Sequence, residues 1–474
     1  MEFEEALHYM EGLIRFGWKL GNERFEALCA RLGNPQDRYS IVHVAGTKGK
    51  GSTTALAAAV LQHSGYRVGS YFSPYVFDVR ERVQVDGAMI SREDFARLVT
   101  MARPHIEALA RTDLGQTTEF ELKTLIGFLY SAEQNVDYAC IEVGIGGRLD
   151  ATNLVKPTVT VITNIGLDHT QILGETHGLI AAEKAGIVKS GVPCFTAVEN
   201  AEALEVIVRI AAERGAPLTH ICQGTADAPT EDRTQVRWSV EEQTEDEIVS
   251  PHQAKFRIAT PVNLYTGLKM RMDGLYQRTN AACAVAAAES ALRSGGRSLS
   301  AEAVRAALAA TILPGRMQEI RLRTGTRLVL DGAHNGIAAT ALHGPITALR
   351  AQHRIQRLLL IVGMVGGHDP NEVLAPFAGD AAHIYVCQPD WKRAQPAAEI
   401  ADAALRFNPN VTIVPSVAEA VQNAIEAAAP DDLILVTGSF YTVGEVPLAM
   451  LDAMAPALKL PRPKDDSATP RSEA

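Results

Sequence analysis

The chain has 474 residues, of which 47% are apolar and 21% charged, and this length predicts two or three domains with cores of their own. Its 45 Lys and Arg against 55 Asp and Glu give a formal net charge of -10, which argues against a nucleic-acid-binding surface as the main role of the chain. The six cysteines are scattered and none forms a C-x-x-C pair, so disulfide frameworks and zinc knuckles are not expected.

The N-terminal sequence, Met-Glu-Phe-Glu-Glu, is acidic where a signal peptide would be basic. No apolar run approaches the roughly 20 residues that a membrane-spanning helix needs. We therefore expect a cytoplasmic protein that binds neither membranes nor nucleic acids.

Short apolar strands alternate with helical stretches along most of the chain. The first pair is residues 41–46 (IVHVAG) and the Ala- and Leu-rich stretch 52–63, and further strand candidates are residues 137–143, 158–165 and 193–198. Continuous apolar runs are typical of parallel strands covered by helices on both faces. The alternation predicts one large α/β sheet built from βαβ units.

A turn rich in Gly and Lys, residues 46–53 (GTKGKGST), lies directly between the first strand and the first helix. Glycines there let backbone N–H groups converge on phosphate oxygens, and a helix N-terminus adds a favourable dipole. Lys50 can reach the terminal phosphates, and Ser52 can approach a metal ion. The spacing departs from G-x-x-x-x-G-K-[ST] because Gly51 intervenes, but the context favours a phosphate-binding loop over a flexible turn.

The next strand ends in residues 141–153 (IEVGIGGRLDATN), whose glycine spacing does not match a dinucleotide fingerprint. Glu142 at the strand end suits a magnesium ligand, with Arg148 and Asp150 facing a substrate. From these residues alone, a purely structural turn stays open as the alternative.

A third strand candidate ends in residues 163–169 (TNIGLDH), which bring an acid and an imidazole to the same sheet edge. Three consecutive polar strand ends favour a metal-ligand role for His169 over that of an ordinary hydrogen-bonded histidine. Residues 183–187 (EKAGI) follow near a helix end, where an ion pair between Glu183 and Lys184 is the simplest interpretation.

The second half of the chain contains a break and then a second alternation. Residues 222–254 are polar and predict an exposed loop or a peripheral hairpin around 236–240. Helical patterns at 278–293 and 301–310 end at Leu313-Pro314-Gly315, which suits a hinge. The later strand candidates are residues 327–333, 357–363, 383–388, 411–416 and 432–439.

We therefore predict an α/β protein with a large, mostly parallel sheet domain that contains the phosphate loop (1–311) and a smaller Rossmann-like domain (312–459). Residues 460–474 are rich in Pro, Ser and charge and predict a disordered tail. Two loops of the smaller domain, 331–335 (DGAHN) and 437–441 (TGSFY), should face the cleft between the domains.

Taken in order, the motifs resemble those of the folylpolyglutamate synthase and dihydrofolate synthase family, a branch of the Mur ligases. The matching stretches are HVAGTKGKGST (43–53), FSPYVFDVRERVQVDG (72–87), TEFE (118–121), IEVGIGGRLDATN (141–153), TNIGLDH (163–169), EKAGIVK (183–189), GLYQRTNAA (274–282), PGRMQ (314–318), DGAHN (331–335) and TGSFYTVGE (437–445). Ten ordered matches over nearly the whole chain make coincidence implausible.

The resemblance implies a role for each matching residue. The ATP phosphates would be held by Gly49, Lys50, Gly51 and Ser52, and the nucleotide site completed by Asn280, Arg316 and Asp331. The ligands of Mg²⁺ would be Ser73, Glu142 and His169. The pterin part of the substrate would lie along Thr118, Glu119, Phe120, Glu121, Leu149, Asp150 and Ala151, and L-glutamate would be bound through His334 and Ser439. The catalytic residues would be Lys50, Asp150, Lys184 and His334, with Lys184 at the position of the lysine that the family carbamylates.

The sequence departs from the family pattern at four places. Tyr75 and Tyr276 each replace a histidine, Gly336 replaces a proline, and residues 367–369 (Gly-His-Asp) stand where Asp-Lys-Asp is usual. None of these changes removes an implied phosphate or metal contact, and they bear on substrate preference.

The implied reaction is the ATP-dependent joining of L-glutamate to a folate-type carboxylate, either dihydropteroate or a folate, through an acyl phosphate. Closure about Pro314-Gly315 would bring the two domains together, and the family is usually monomeric. The alternatives are a divergent paralogue that acts on another acid, a nucleotide-dependent switch, and a binding paralogue without turnover.

Replacing Lys50 by Ala should reduce ATP turnover by about 10²-fold or more, because a preorganised charge at the phosphates is lost while little packing changes. Steady-state ADP release and circular dichroism measure the two effects. Near-normal turnover in a folded Lys50→Ala protein would contradict the phosphate-loop assignment.

Overall fold

A computed structural model describes residues 1–13, 21–232, 234–241, 254–272, 274–448 and 451. The predicted tail at 460–474 and residues 242–253 of the polar segment lie outside the described residues. Within the described ranges, no helix is both long and apolar enough to cross a lipid bilayer.

Two sheets organise the chain, as the alternating pattern predicts. The larger sheet has eleven strands in the order β11-β10-β9-β8-β7-β6-β1-β5-β2-β3-β4. Its strands are β1 (Ser40–Ala45), β2 (Val68–Tyr71), β3 (Val83–Val85), β4 (Ala88–Met89), β5 (Tyr138–Glu142), β6 (Val159–Ile162), β7 (Cys194–Thr196), β8 (Leu218–Gln223), β9 (Gln235–Val240), β10 (Phe256–Ala259) and β11 (Leu264–Leu268).

The middle of this sheet is parallel and its two edges are antiparallel. Strand β1 pairs in parallel with β5 on one side and β6 on the other, with Val44 opposite Glu142 and Ala45 opposite Ile162. The chain leaves β1 towards β2 on one side and later returns to β6 on the other, which makes the end of β1 a topological switch point. Ligands bind in the crevice outside such strand ends.

Helices cover both faces of the large sheet. In the part of the chain up to residue 311 they are α1 (Phe3–Glu11), α2 (Glu23–Arg31), α3 (Lys50–His63), α4 (Arg92–Leu109), α5 (Glu119–Glu133), α6 (Thr170–Leu173), α7 (His177–Lys184), α8 (Ala201–Glu213), α9 (Leu275–Ser294) and α10 (Ala301–Ala310). One core joins α3, α9 and α10 to a face of the sheet, and a second core joins α1, α2, α4 and α5 to the other. Small alanines along α9 let it pack closely against α3.

The polar segment is more than a peripheral hairpin, and this part of the sequence-based prediction is wrong. Strand β9 pairs in parallel with β8 and antiparallel with β10, so it is an interior strand of the large sheet. Val236 and Trp238 on β9 are buried in the core shared with α9. The two apolar side chains alternate with polar ones, and their burial outweighs the polar character of the flanking residues.

The smaller sheet has six strands in the order β12-β13-β17-β14-β15-β16. Its elements are β12 (Gln318–Arg321), β13 (Arg327–Leu330), α11 (Gly336–His353), β14 (Leu358–Val362), α12 (Pro370–Leu374), β15 (Ala381–Val386), α13 (Ala397–Ala404), β16 (Val411–Ile413), α14 (Val417–Ala427), β17 (Leu433–Thr437) and α15 (Phe440–Gly444). Five strands are parallel, as predicted, and β12 adds an antiparallel edge that the sequence analysis missed. The domain boundary at 311/312 stays a prediction.

A loop of the larger unit inserts into the core of the smaller one. Val76 packs among apolar side chains of the smaller sheet and its helices, and it contacts the segment around Gly315, where φ is 62°. The buried carboxylate of Glu81 fixes this loop by accepting the backbone N–H groups of Val76, Phe77 and Asp78 at 2.8, 2.9 and 3.1 Å. The predicted hinge therefore lies beside a direct apolar contact between the two units.

Replacing Trp238 by Ala should lower the free energy of unfolding by about 3–5 kcal/mol, because a large buried side chain leaves a cavity in the core. Denaturant unfolding measures the loss, and Trp238→Phe, which keeps an aromatic ring there, should lose less. A change below about 0.5 kcal/mol, as an exposed hairpin would give, would contradict the interior position of β9.

Candidate active site

The loops that follow β1, β5 and β6 meet at one edge of the large sheet. They carry the phosphate-loop motif, Glu142 and the segment 163–169, so the structure brings together three of the predicted groups. The loop that follows β13 in the smaller domain, 331–335, contacts this edge from across the cleft. Each of these loops follows the carboxyl end of a strand, so its side chains do not have to pack within the sheet.

The loop between β1 and α3 has the backbone of a phosphate cradle. Gly49, the residue before the helix, has φ of 81°, and a Cβ there would clash with the side-chain amide of Asn280. Ser52 lies buried in the first turn of α3. The Lys50 ammonium donates to the Thr47 carbonyl oxygen at 3.3 Å. Glycine is therefore required by both conformation and space, and the helix N-terminus is open to an anion.

Glu142 and Lys50 are opposite charges beside this cradle, and Glu142 lies next to Gly51. Burial raises the pKa of the Glu142 carboxyl, an effect that the Lys50 charge opposes. Burial likewise lowers the pKa of Lys50, and the Glu142 charge opposes that shift. Glu142 Oε2 also accepts the backbone N–H of Ser73 at 2.9 Å. The charge of each group therefore favours the ionised form of the other in a site shielded from water.

The predicted magnesium ligands form a sparse set of mixed donors. Glu142 is buried, and the backbone N–H of Ser73 donates to it. The His169 side chain is half exposed, and the backbone of His169 is left-handed with φ of 52°. Among the described residues, no group of three or more His, Cys, Asp or Glu side chains is arranged to hold a metal ion. One buried carboxylate beside a phosphate loop still fits Mg²⁺, which usually takes one or two carboxylates and fills its other positions with phosphate and water.

Lys184 lies at the same edge, buried at the end of α7. Its ammonium donates to the Gly46 carbonyl oxygen at 2.9 Å. Burial, followed by the charge of Lys50, lowers the pKa of Lys184 to about 7. The simple ion pair with Glu183 is wrong, because Glu183 instead accepts from Arg148 at 2.8 Å.

Lys48 links the two domains, although no role was predicted for it from the sequence. Its ammonium lies 3.0 Å from Asp168 Oδ2 and 3.2 Å from His334 Nε2 in the smaller domain. The presence of two lysines in the motif GTKGKGS was the available signal. Lys48 could not be distinguished from a solvated side chain without knowing that 331–335 faces it.

The hydrogen bonds of His334 define its tautomer. A carbonyl oxygen can only accept, so Nδ1–H donates to Gly332 O at 2.8 Å, and Nε2 must accept from the Lys48 ammonium. Burial and the Lys48 charge lower the pKa of His334 to about 3. The ring of His368, one of the departures from the family pattern, lies 5.3 Å from that of His334. His334 is therefore a neutral acceptor facing the phosphate loop.

The remaining predicted nucleotide residues lie around this cleft. Asn280 near the start of α9 donates to Gln277 Oε1 at 2.9 Å, and Asp331 accepts the backbone N–H groups of Met317 and Ala333. The guanidinium of Arg316 lies over the Phe440 ring at 4.3 Å. Asp331 thus fixes the turn that carries Arg316.

The two predicted substrate segments also meet in space. A Cβ on Gly144 would lie 2.6 Å from the Phe120 ring and 3.1 Å from Asp150 Oδ2, so the ring and the carboxylate flank the same glycine. Asp150 is buried, and burial raises the pKa of its carboxyl. Leu149 and Ala151 flank it in the chain, with Ala151 in the core under α5.

The segment 118–121 begins α5 with a reciprocal cap between Thr118 and Glu121. Glu119 pairs with Lys123 one turn later. Glu121 also accepts the buried Arg24 guanidinium at 2.8 Å, an interaction between residues 97 positions apart that the sequence analysis missed. This ion pair ties α2 to the start of the predicted substrate segment.

Ser439 and the departures Tyr75, Tyr276 and Gly336 have defined positions. The Ser439 hydroxyl is buried and caps α15 by accepting the Thr442 N–H at 3.0 Å. Tyr75 lies under the Arg82 guanidinium, Tyr276 is partly exposed near the start of α9, and Gly336 begins α11 against Glu372. A role of Ser439 in binding glutamate stays a prediction, since the contacts found for its hydroxyl lie within the protein.

Two Mur ligase family models match this chain. Residues 44–288 match the family "Mur ligase middle domain" and residues 315–440 match "Mur ligase, glutamate ligase domain". The dihydrofolate synthase/folylpolyglutamate synthase of Bacillus subtilis is 35% identical over 446 residues, which cover 94% of this chain and 98% of the relative. The enzyme of the same name from Escherichia coli is 34% identical over 94% of this chain and 95% of its own length.

Solved structures agree with the sequence relatives. The folylpolyglutamate synthase of Thermotoga maritima superposes with a TM-score of 0.80 at 30% identity, covering 95% of this chain and 96% of that one. E. coli FolC in complex with DHPP and ADP superposes with a TM-score of 0.78 at 31% identity, covering 96% and 98%. The two-domain α/β fold of this chain is thus that of these enzymes.

Replacing Arg24 by Met should lower the free energy of unfolding by about 3–5 kcal/mol, because Glu121 is left as a buried charge without its partner. Denaturant unfolding measures this loss. The exposed pair between Arg97 and Glu133, at 2.6 Å, supplies the matched control. Arg97→Met should cost less than about 1 kcal/mol, and equal losses in the two variants would contradict the buried ion pair.

Proposed function

Because the chain belongs to the folylpolyglutamate synthase and dihydrofolate synthase family of Mur ligases and is therefore an ATP-dependent ligase, we propose that it joins L-glutamate to the carboxyl group of a folate-type acid. The observation that carries the proposal is the meeting of the phosphate loop with His334 across the cleft, 3.2 Å from Lys48. A ligase of this kind needs phosphates and an incoming amine at one point, and each domain supplies one of the two binding surfaces.

In the proposed reaction, ATP first phosphorylates the acid. A carboxylate is a poor acyl donor, so its oxygen attacks the γ-phosphorus of ATP, ADP leaves, and an acyl phosphate forms. Lys50 and the N-terminus of α3 stabilise the charge on the transferring phosphoryl group. Lys48 lies close enough to add a second positive charge once phosphate draws it away from Asp168.

The proposed metal is Mg²⁺, held by Glu142, Ser73 and His169. When bound, it would neutralise phosphate charge. The chain's own contribution is to keep Glu142 ionised through Lys50, and to hold the carboxylate against the phosphate loop through the N–H of Ser73.

His334 suits the second half of the reaction. The α-ammonium of glutamate must lose a proton before its nitrogen can attack the acyl carbon and expel phosphate. Nε2 of the neutral His334 is an acceptor that Lys48 occupies in this structure, and movement of Lys48 towards phosphate frees it. We assign His334 the binding of the amino group, whose N–H would donate to Nε2; a ring with a pKa of about 3 is too weak a base to take the ammonium proton itself.

The pterin part of the substrate is proposed to lie between Phe120 and the loop 149–151. The aromatic ring offers a stacking surface, and the Asp150 carboxylate offers acceptors for the ring N–H groups. The E. coli enzyme, whose structure holds DHPP and ADP, supports a pteridine and a nucleotide as ligands. Dihydropteroate and reduced folates are both candidate acids, and the monomeric state and cytoplasmic location stay predictions.

ADP should form rapidly only when ATP, dihydropteroate or a folate, and L-glutamate are all present, because the amine consumes the acyl phosphate. A substrate panel with coupled ADP detection and product mass analysis tests this. Equal hydrolysis without acid or amino acid would instead favour a nucleotide-dependent switch. Turnover confined to another acid would favour a divergent ligase.

Lys184 is proposed to act as a carbamate. Carbon dioxide adds only to a neutral amine, forming N–COO⁻ with release of one proton, and a pKa of about 7 leaves a large neutral fraction at physiological pH. An ammonium so near Lys50 adds repulsion, whereas a carbamate adds an anion. The change of sign would suit a site that must hold a divalent cation.

Lys184→Ala should be nearly inactive and should regain part of its activity with acetate or propionate, which can fill the vacated space with a carboxylate. Lys189→Ala, which removes a lysine bonded to Asn153, is the control that these acids should not rescue. A crystal grown with bicarbonate, magnesium and nucleotide should show the carbamate. An unmodified, well-ordered amine at Lys184 would contradict it.

A further inference from the structure

A fully buried histidine lies in the middle of β1. His43 is 0% exposed, and its neighbours on the strand, Val42 and Val44, are fully buried too. The strand is paired on both sides, by β5 and by β6. A polar ring is thus present at a core position where an apolar side chain would avoid the desolvation of two ring nitrogens.

The hydrogen bonds around His43 run in one direction. Both oxygens of Asp150 accept backbone N–H groups, from Thr152 and from Ile145, and the Thr152 hydroxyl donates to Oδ1 at 2.6 Å. The hydroxyl oxygen is then left to accept, so Nε2–H of His43 donates to it at 2.9 Å. His43 is neutral with its proton on Nε2, and burial lowers its pKa to about 3.

The second ring nitrogen supports a functional interpretation. Nδ1 of His43 is buried and has no hydrogen-bond partner among the described residues. A histidine chosen for stability would satisfy both nitrogens or be replaced by an apolar residue, since an unsatisfied buried polar atom is unfavourable. The one bond that His43 makes is directed, through Thr152, at Asp150.

The chain of bonds orients Asp150 and opposes the effect of burial, which raises the pKa of its carboxyl. Oδ1 accepts the backbone N–H and the hydroxyl of Thr152, and Oδ2 accepts the backbone N–H of Ile145 at 3.0 Å. These donors hold the buried carboxyl as an acceptor. Oδ2 is the oxygen on the side of Gly144 and the Phe120 ring.

We propose that His43 is a positioning residue for substrate recognition, which acts through Thr152 to hold Asp150 as an ionised acceptor for the paired N–H donors of the pteridine ring. This inference rests on the proposed function and deepens it. It assigns a role to a residue that touches neither substrate nor nucleotide. This chain of hydrogen bonds from His43 through Thr152 to Asp150, here called the relay, runs from β1, the strand before the phosphate loop, to the proposed pteridine site.

Steady-state kinetics of four variants tests the relay: His43→Leu, His43→Gln, Thr152→Val and the double variant His43→Leu/Thr152→Val. His43→Leu should raise the KM for dihydropteroate about two- to tenfold, the weight of one hydrogen bond between neutral groups, and leave the KM for ATP unchanged. His43→Gln should restore the wild-type value, because its amide N–H can replace Nε2–H. The double variant should be no worse than Thr152→Val alone.

Three results would overturn the relay: an equal rise in the KM for ATP, a His43→Gln variant as impaired as His43→Leu, or additive effects in the double variant. Calorimetric ADP binding and thermal melting identify any variant that fails to fold. Failure of the proposed function is distinct, because the wild-type protein would then form no product.

A spectroscopic measurement tests the relay without turnover. In protein labelled with ¹⁵N-histidine, the signal that His43→Gln removes should be that of a neutral Nε2–H tautomer, and Thr152→Val should shift it. An Nδ1–H tautomer, or a signal unmoved by Thr152→Val, would contradict the proposed direction of the bonds.

Discussion

The carboxyl ends of β1, β5 and β6 lie side by side, and this brings Glu142, Asp168 and three lysines together in a space with little water. Burial disfavours the charged form of each group, which raises the pKa of Glu142 and lowers those of Lys48, Lys50 and Lys184. Lys48, Lys50 and Lys184 thus meet at the strand edge from which the N-terminus of α3 also begins. This edge therefore suits an anion, and phosphate is the ligand whose charge and size match a helix N-terminus with a glycine-lined entrance.

The second domain contributes His334 to this group of charged side chains. Nε2 of His334 accepts from the Lys48 ammonium, and burial together with the Lys48 charge keeps the ring neutral, so the group proposed to bind the amino group of glutamate is engaged until phosphate competes for the lysine. The apolar insertion of Val76 beside Gly315 keeps the two units in contact while the polar bond changes. Binding of nucleotide and availability of the acceptor are thereby linked by a single side chain.

Much of this could be predicted from the sequence, because the decisive signals are local. The strand-turn-helix around residues 46–53, the polar ends of β5 and β6, and the five parallel strands of the smaller sheet each follow from short patterns, and the structure confirms them. Trp238 was missed because two apolar residues in a polar segment are a weak signal. The partners of Lys48, Lys184 and Arg24 were missed because they lie 97 to 286 positions away in the chain. Which side chains share a buried space depends on tertiary packing, and no local period encodes it.

The central claim is that phosphate moves onto the substrate's carboxylate before the amide bond forms. Dihydropteroate or a folate with ¹⁸O in the reacting carboxylate, converted with ATP and L-glutamate, tests it directly when the released phosphate is analysed by mass spectrometry. The account predicts that one ¹⁸O atom appears in the phosphate and that the other stays in the amide product. Phosphate without ¹⁸O, carrying solvent oxygen instead, would mean that water attacks ATP and would contradict the account.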